Sequence, residues 1–442
     1  MSALTRDQAK ALVDRTLKLS KAEAVQVNIN SGDERNVRFA DNRITTAGST
    51  NDLSVRVFSS FGKRGAVSSG NDISDAGLEQ IVRQSEALAR LAPENPEAMP
   101  LPGPQTYKEV RGWFDSTANV SAAARAQAAG TMIDAAKKAG DLKAAGILIA
   151  TSGAEAVGNS RGLFAFHPST AVDFTTTVRT TDGTGSGWAG VNDPDWRKID
   201  FKATTDRAVT KARLSRNPSA IEPGRYTVIL EPQAAADLVT LVMGAFDARS
   251  ADEGRSAFSK AGGGTKVGEK IMDERVSFVS DPTDPGILGT PFDGDGQARE
   301  RRVWIENGVL KNLVYSRFWA QRKGVQPTGG PASLMVTGGT QSLEEVIASS
   351  ERAVLVTRFW YIRPVNQRTL LYTGLTRDGT FLIENGKITR SVRNMRFNES
   401  PLFMLDKLEA IGRPVRLSDS GGVLMPPLRV RDFHFTSLSD AV

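Results

Sequence analysis

Two stretches in the second half of the chain decide the fold: Val303-Trp304-Ile305-Glu306-Asn307-Gly308-Val309-Leu310 and Phe381-Leu382-Ile383-Glu384-Asn385-Gly386-Lys387-Ile388. Each sets an Asn-Gly pair between apolar alternations. A two-residue type I′ turn needs positive φ at both central positions, which Asn-Gly tolerates best. Two similarly built hairpins are therefore expected in an antiparallel, β-rich C-terminal domain. Working backwards, Pro218 and Pro223 mark a boundary, so the expected domains are 1–217 and 218–442. A helix from about Gln233 to Arg249 is expected just after that boundary.

The first half mixes helical and extended periods, and the fold class expected for the whole chain is α+β. Apolar residues Ala9, Leu12, Val13 and Leu17 recur at helical spacing. Ala24-Val25-Gln26-Val27-Asn28-Ile29 and Asn36-Val37-Arg38-Phe39 alternate as half-buried strands do. Leu53 to Phe58 and Gly65 to Ser68 read as a hairpin turning at Phe61-Gly62-Lys63-Arg64. Ser74 is placed to cap a helix whose apolar face is Ile81, Val82, Leu88 and Leu91. The proline-dense stretch from Pro93 to Pro104 predicts an irregular connection. An Ala-rich helix follows over about Ser121 to Lys138, then strands around the turn Asn159-Ser160-Arg161-Gly162.

Composition excludes several functions. The 442 residues hold two histidines, His167 and His434, and no cysteine. A catalytic zinc usually takes three protein ligands, mostly His, Cys or carboxylate. With no H-E-x-x-H pair on a helix, no metal site, cofactor or catalytic residue of the chain's own is expected. Disulfides and thiol catalysis are absent. The 56 basic and 50 acidic residues give a net charge of +6, but they are interspersed, the densest cluster being Arg299-Glu300-Arg301-Arg302. Nucleic-acid binders concentrate charge on one element, so none is expected as a partner. No run is long enough for a membrane span, and the charged start Met1 to Asp7 lacks a signal peptide's apolar core. A cytoplasmic protein is expected.

Few motifs stand out. Phe292-Asp293-Gly294-Asp295-Gly296-Gln297 is acidic and glycine-rich, but a calcium loop would want a ligand where Gln297 stands, so it reads as a tight turn or a ligand-contacting loop. Ala261 to Lys266 lacks the spacing of a phosphate loop. His167 in its apolar surroundings reads as structural. Asp182-Gly183-Thr184-Gly185-Ser186-Gly187-Trp188-Ala189-Gly190 is either a flexible loop anchored by its tryptophan or a strand edge that another backbone could approach closely. Gly185, Gly187, Trp188, Phe292, Asp293, Asp295 and Arg299 are the residues expected to line a peptide or a partner.

In these stretches the chain resembles the TldD/PmbA family, and within it the PmbA (TldE) branch. The likeness runs through Asn159 to Gly162, Gly187 to Gly190, Pro291 to Gly296, Ile305 to Gly308, Ile383 to Ile388 and Asn394-Met395-Arg396-Phe397. It implies peptide processing by paired proteins, one of which carries H-E-x-x-x-H on a helix plus a cysteine ligand. Laid on that pattern, Thr240, Leu241 and Ala245 fall at the motif's places, where none can bind zinc or act as a base. The resemblance thus implies a metal-free subunit that completes the substrate cavity of an H-E-x-x-x-H partner and takes extended peptides. The alternative is a stand-alone homodimeric peptide-binding or scaffolding protein. The family's association with DNA gyrase ranks last, for want of a nucleic-acid element.

Overall fold

In the computed structural model, residues 3–331, 333–418 and 422–439 are described. Helix α1 (Arg6–Leu19) starts at Thr5, whose hydroxyl accepts from the Gln8 N–H in a capping box. Strands β1 (Ala24–Ala40), β2 (Arg43–Phe61) and β3 (Arg64–Gly70) lead to α2 (Asp75–Leu91), capped by Ser74 as expected. After the proline-dense connection come α3 (Asp115–Ala118), α4 (Ala122–Ala139), β4 (Leu142–Asn159), β5 (Phe164–Thr180), β6 (Ser186–Asp193) and α5 (Phe201–Leu214). The six strands form one antiparallel sheet in the order β3-β2-β1-β4-β5-β6.

Period-2 alternation makes this sheet two-faced. Val25, Val27, Ile29, Val55 and Val57 pack on α1 and α2, and Val37, Phe39, Leu148, Val172 and Phe174 pack on α4 and α5. The opposite face carries Gln26, Asn28, Asn30, Arg56 and Glu155.

The second half begins at β7 (Gly224–Leu230), followed by α6 (Pro232–Val239) and, after a 3-10 turn, α7 (Ala248–Asp252). A mixed sheet holds β8 (Phe278–Ser280), β9 (Arg302–Glu306), β10 (Val309–Leu310), β11 (Leu334–Val336), β17 (Val415–Arg416) and β18 (Val423–Met425). The last sheet holds β7, β12 (Arg352–Asn366), β13 (Leu371–Glu384), β14 (Lys387–Ser391), β15 (Met395–Glu399) and β19 (Leu428–Leu438), with β16 (Leu408–Ile411) paired to β19. Helices α8 (Arg317–Lys323) and α10 (Pro401–Asp406) add Trp319, Leu402, Met404 and Leu405 to the core that both sheets share, whereas α9 (Leu343–Ala348) packs Val346 against Ile229, Ala353, Leu355, Phe381 and Ile383 in a separate cluster. Because β12 also pairs with β13, the pairings close on themselves as β12-β7-β19-β15-β13-β12. Phe359, Phe397, Phe433 and Phe435 stack within this ring, with neighbouring centroids 4.6–5.7 Å apart.

Both Asn-Gly hairpins form, with φ of 49° and 74° at Asn307 and Gly308 and of 51° and 75° at Asn385 and Gly386. They sit in different sheets, and the expectation of purely antiparallel pairing is corrected: β7 pairs in parallel with β12, and β11 with β18. The expected helix from Gln233 to Arg249 is also interrupted. Residues Thr240–Ala245 tighten into a 3-10 turn before Asp247 caps α7. Thr240, Val242 and Gly244 are poor helix formers, and the buried Phe246 holds the break in place. Among the described residues, no helix is long and apolar enough to cross a membrane.

Candidate functional site

On the polar face of the first sheet a cleft of roughly 470 Å³ opens between β1, β2 and β3, the 93–102 connection, the loop at 294–295 and the start of α8 at 316–318. The side chains of Gln26 and Asn28 reach across it and donate to the Gly294 carbonyl at 3.0 and 2.7 Å. The acidic loop is therefore a bridge thrown from the second half of the chain onto the first sheet.

Its local shape follows from its sequence. Asp293 accepts from the backbone N–H groups of Asp295 and Gln297, both at 3.0 Å, which folds the loop back on itself. Gly296 takes φ 79°, which its missing Cβ permits, and abuts Leu163. Phe292 is buried with Val157, Leu163 and Ala165 and meets the Tyr107 ring edge-on at 5.6 Å. The Tyr107 hydroxyl donates to the Gly296 carbonyl at 2.7 Å.

Burial dominates the electrostatics here. It lifts the Asp293 carboxyl above its ordinary value, although the backbone N–H groups of Gln297 and Asp295 pull the other way. Burial, helped by the Asp293 charge, pushes the Tyr107 phenol up to about 12. It also lowers the Arg299 guanidinium, against the opposing pull of Asp293 and Glu155. Asp293 and Asp295 thus face different surroundings: one is folded into the loop, the other exposed at the cleft rim. A carboxylate pair sharing a proton would need both groups in one enclosed site.

Phe292, Asp293, Asp295 and Arg299 are therefore brought together in one loop, and of the four Asp295 alone lines the cleft. Gly185, Gly187 and Trp188 do not join them, because β6 lies three strands from β1 in the sheet. The close backbone approach that the glycines allow is made within the chain. A Cβ on Gly187 would lie 2.3 Å from the Ala208 carbonyl oxygen and 2.4 Å from the Ala212 nitrogen, both on α5. Trp188 is buried under the Arg358 guanidinium, 5.0 Å from its ring centroid.

This edge forms a polar seam between the two halves that sequence reading missed. Lys211 on α5 pairs with Glu231 at 2.6 Å, and Thr357 donates to the same carboxylate at 3.3 Å. Ser186 donates to Asp378 at 2.6 Å, and Arg358 and Arg377 both stand 3.7 Å from that carboxylate. These partners are far apart in sequence, and no local pattern announces such pairs.

In the segment after Glu231 the one carboxylate before Asp247 is that of Asp237, which accepts from the Gln233 amide at 2.9 Å and the Phe359 N–H at 2.8 Å. The Thr240 hydroxyl donates to the Ala236 carbonyl at 2.7 Å, Leu241 packs on the core, and Ala245 is buried. The two histidines lie apart, on β5 and β19. Among the described residues no group of three or more His, Cys, Asp or Glu side chains is arranged to hold a metal ion.

Models of three family domains match the chain: "PmbA/TldA metallopeptidase domain 1" over residues 25–89, the "central domain" over 115–216 and the "C-terminal domain" over 223–437. The chain belongs to the PmbA/TldD family. The Escherichia coli O157:H7 protein named Metalloprotease PmbA is 22% identical over 438 residues, covering 93% of this chain and 91% of its own. A Metalloprotease of Methanothermobacter thermautotrophicus is 26% identical over 234 residues, 49% of this chain and 48% of its own. Four of the curated relatives are matched over only 30%, 48%, 45% and 37% of their lengths. The structure of TldE from Thermococcus kodakarensis shares the PmbA/TldD fold, with a TM-score of 0.84 at 19% identity over 97% of this chain and 99% of that one.

Proposed function

We propose that this PmbA/TldD chain is a metal-free, TldE-like subunit of a cytoplasmic metallopeptidase, which completes the substrate cavity of a partner carrying H-E-x-x-x-H. The observation that carries the reading is the broken helix after β7. By the resemblance, the family's metal-binding pattern falls on Thr240, Leu241 and Ala245, and a hydroxyl already bonded to its own helix, an isobutyl group and a methyl group cannot hold zinc or accept a proton. The partner's metal would lower the pKa of its water and polarise the peptide carbonyl. This chain would supply the polar cleft. There Gln26, Asn28 and Arg56 face an extended peptide, and Asp293, Asp295 and Arg299 shape the rim.

The test assays peptide cleavage by the chain alone, with a zinc-loaded H-E-x-x-x-H homologue, and with that homologue's motif Glu replaced by Gln. Cleavage is expected only in the second mixture. Chelator-insensitive cleavage by the chain alone, abolished by Asp293→Ala, would overturn the assignment.

A further inference from the structure

Beyond Val356, β12 runs on to Asn366 as an outer arm of the sheet, backed by β13, whose other side pairs with β15 from Tyr372 to Leu375. β12 pairs with β7 only from Val354 to Val356, so beyond that point one of its edges has no strand beside it among the described residues. On the arm Trp360, Tyr361 and Val365 are 45%, 62% and 56% exposed. From Thr357 to Arg377 there are four arginines and no Asp, Glu or Lys, in a chain where acids and bases are otherwise interspersed. Aromatic residues and Arg with few Lys, Glu or Asp make the composition of interface cores, and Trp, Tyr and Arg dominate hot spots.

The rings are held ready for contact. Arg363 lies 4.2 Å over Tyr361, Arg377 lies 4.7 Å over Trp360, and Arg358 spans Trp360 and the seam residue Trp188 at 5.3 and 5.0 Å. Asp378 stands against Arg358 and Arg377 at the arm's root, which leaves the charge of Arg363 and Arg368 at its exposed end.

The backbone argues against strand addition here. The β12–β13 register shifts between Val356 and Arg358, Trp360 and Arg363, and Pro364 and Asn366. Tyr361 takes φ 54°, and Pro364 lacks an N–H. Bulges and proline are how edges are kept from pairing, so side chains must make the contact. Two copies meeting arm to arm would set like charges against each other.

We propose that this arm docks a second, different protein chain whose facing surface carries carboxylates around apolar slots. The proposal rests on the reading above in taking the H-E-x-x-x-H chain as that partner. The test uses the full-length chain, mixed with the H-E-x-x-x-H homologue and followed by sedimentation at several salt concentrations. One variant joins Trp360→Ser to Tyr361→Asn, since Asn tolerates positive φ. The other joins Arg363→Glu to Arg368→Glu. Thermal midpoints near that of the unmodified protein show that both remain folded. Each variant is expected to weaken the complex by about tenfold or more, and the charge variant is expected to flatten its salt dependence. A complex formed equally well by both folded variants overturns the docking surface and leaves the proposed function standing. Arm-dependent pairing of the chain with itself overturns the choice of partner. Failure of the unmodified chain to bind the homologue sinks both readings.

Discussion

The ammonium of Lys211 lies 2.6 Å from the carboxylate of Glu231, with only 15% and 11% of the two side chains exposed, so α5 on the first sheet is ionically tied to the start of α6. Glu231 occupies the N-cap position of α6 without capping it, its carboxylate being engaged by Lys211 and Thr357 instead. Lys211→Met would strand a largely buried carboxylate and should cost about 3 kcal/mol. Adding Glu231→Gln should restore most of the loss, and urea unfolding midpoints of the single and double variants measure the coupling.

Two glycine substitutions should act with opposite sign. Gly187→Val drives its side chain into the α5 backbone and should lose about 3 kcal/mol, the upper end of ordinary overpacking. Gly130 sits inside α4 with open space around it, so Gly130→Ala should gain about 1 kcal/mol from helix propensity. Thermal midpoints decide both. An unimpaired Gly187→Val protein would mean that α5 does not hold that position.

His167 should make stability depend on pH. Burial pushes its imidazole down to about 4 from an ordinary 6.5. Between those values the unfolded chain binds the extra proton and the folded chain does not, so this contribution is intact above 6.5 and lost as pH falls towards 4. The full loss is on the order of 3 kcal/mol. Glu399, raised above its ordinary value by burial, acts in the reverse direction, relieving the fold as it protonates. The difference between the unmodified protein and His167→Gln isolates the imidazole. That difference should change between pH 7 and pH 5, and a constant offset would contradict the assignment.

Asp293 should matter for shape more than for proton transfer. Asp293→Asn keeps an acceptor for the N–H groups of Asp295 and Gln297 and should leave partner-dependent cleavage within about twofold. Asp293→Ala removes the acceptor and should cost about 1 kcal/mol of stability. A collapse of kcat in Asp293→Asn with normal stability would assign the carboxylate a chemical role.

Where local chemistry fixes the backbone, the fold was legible in the sequence. Ser74 caps α2, and both Asn-Gly pairs take the positive φ that their turns require. Legibility failed where distant chain decides. β1 reads as two short strands because Ser31-Gly32-Asp33 breaks the apolar alternation. Gly32 in fact faces Gly153 across the ladder, where a Cβ would meet the Gly153 Cα at 2.9 Å. The glycines of β6 announce a close approach but not by what, and α5 turned out to be the answer. At the candidate site, the acidic loop was visible as a turn, but the amides of Gln26 and Asn28 that grip it looked like any solvated strand face.

The ring of strands also sets an order of events during synthesis. Its members β7 and β19 are neighbours in space, pairing from Gly224–Phe435 to Leu230–Leu428, yet they leave the ribosome almost at opposite ends of the second half. Until β19 emerges, β7 and β15 both lack a neighbour, and the phenylalanines meant for the ring's interior stay accessible to water and to other nascent chains. Pairing over such a separation is slow. The interval before closure is therefore when this protein most needs a chaperone.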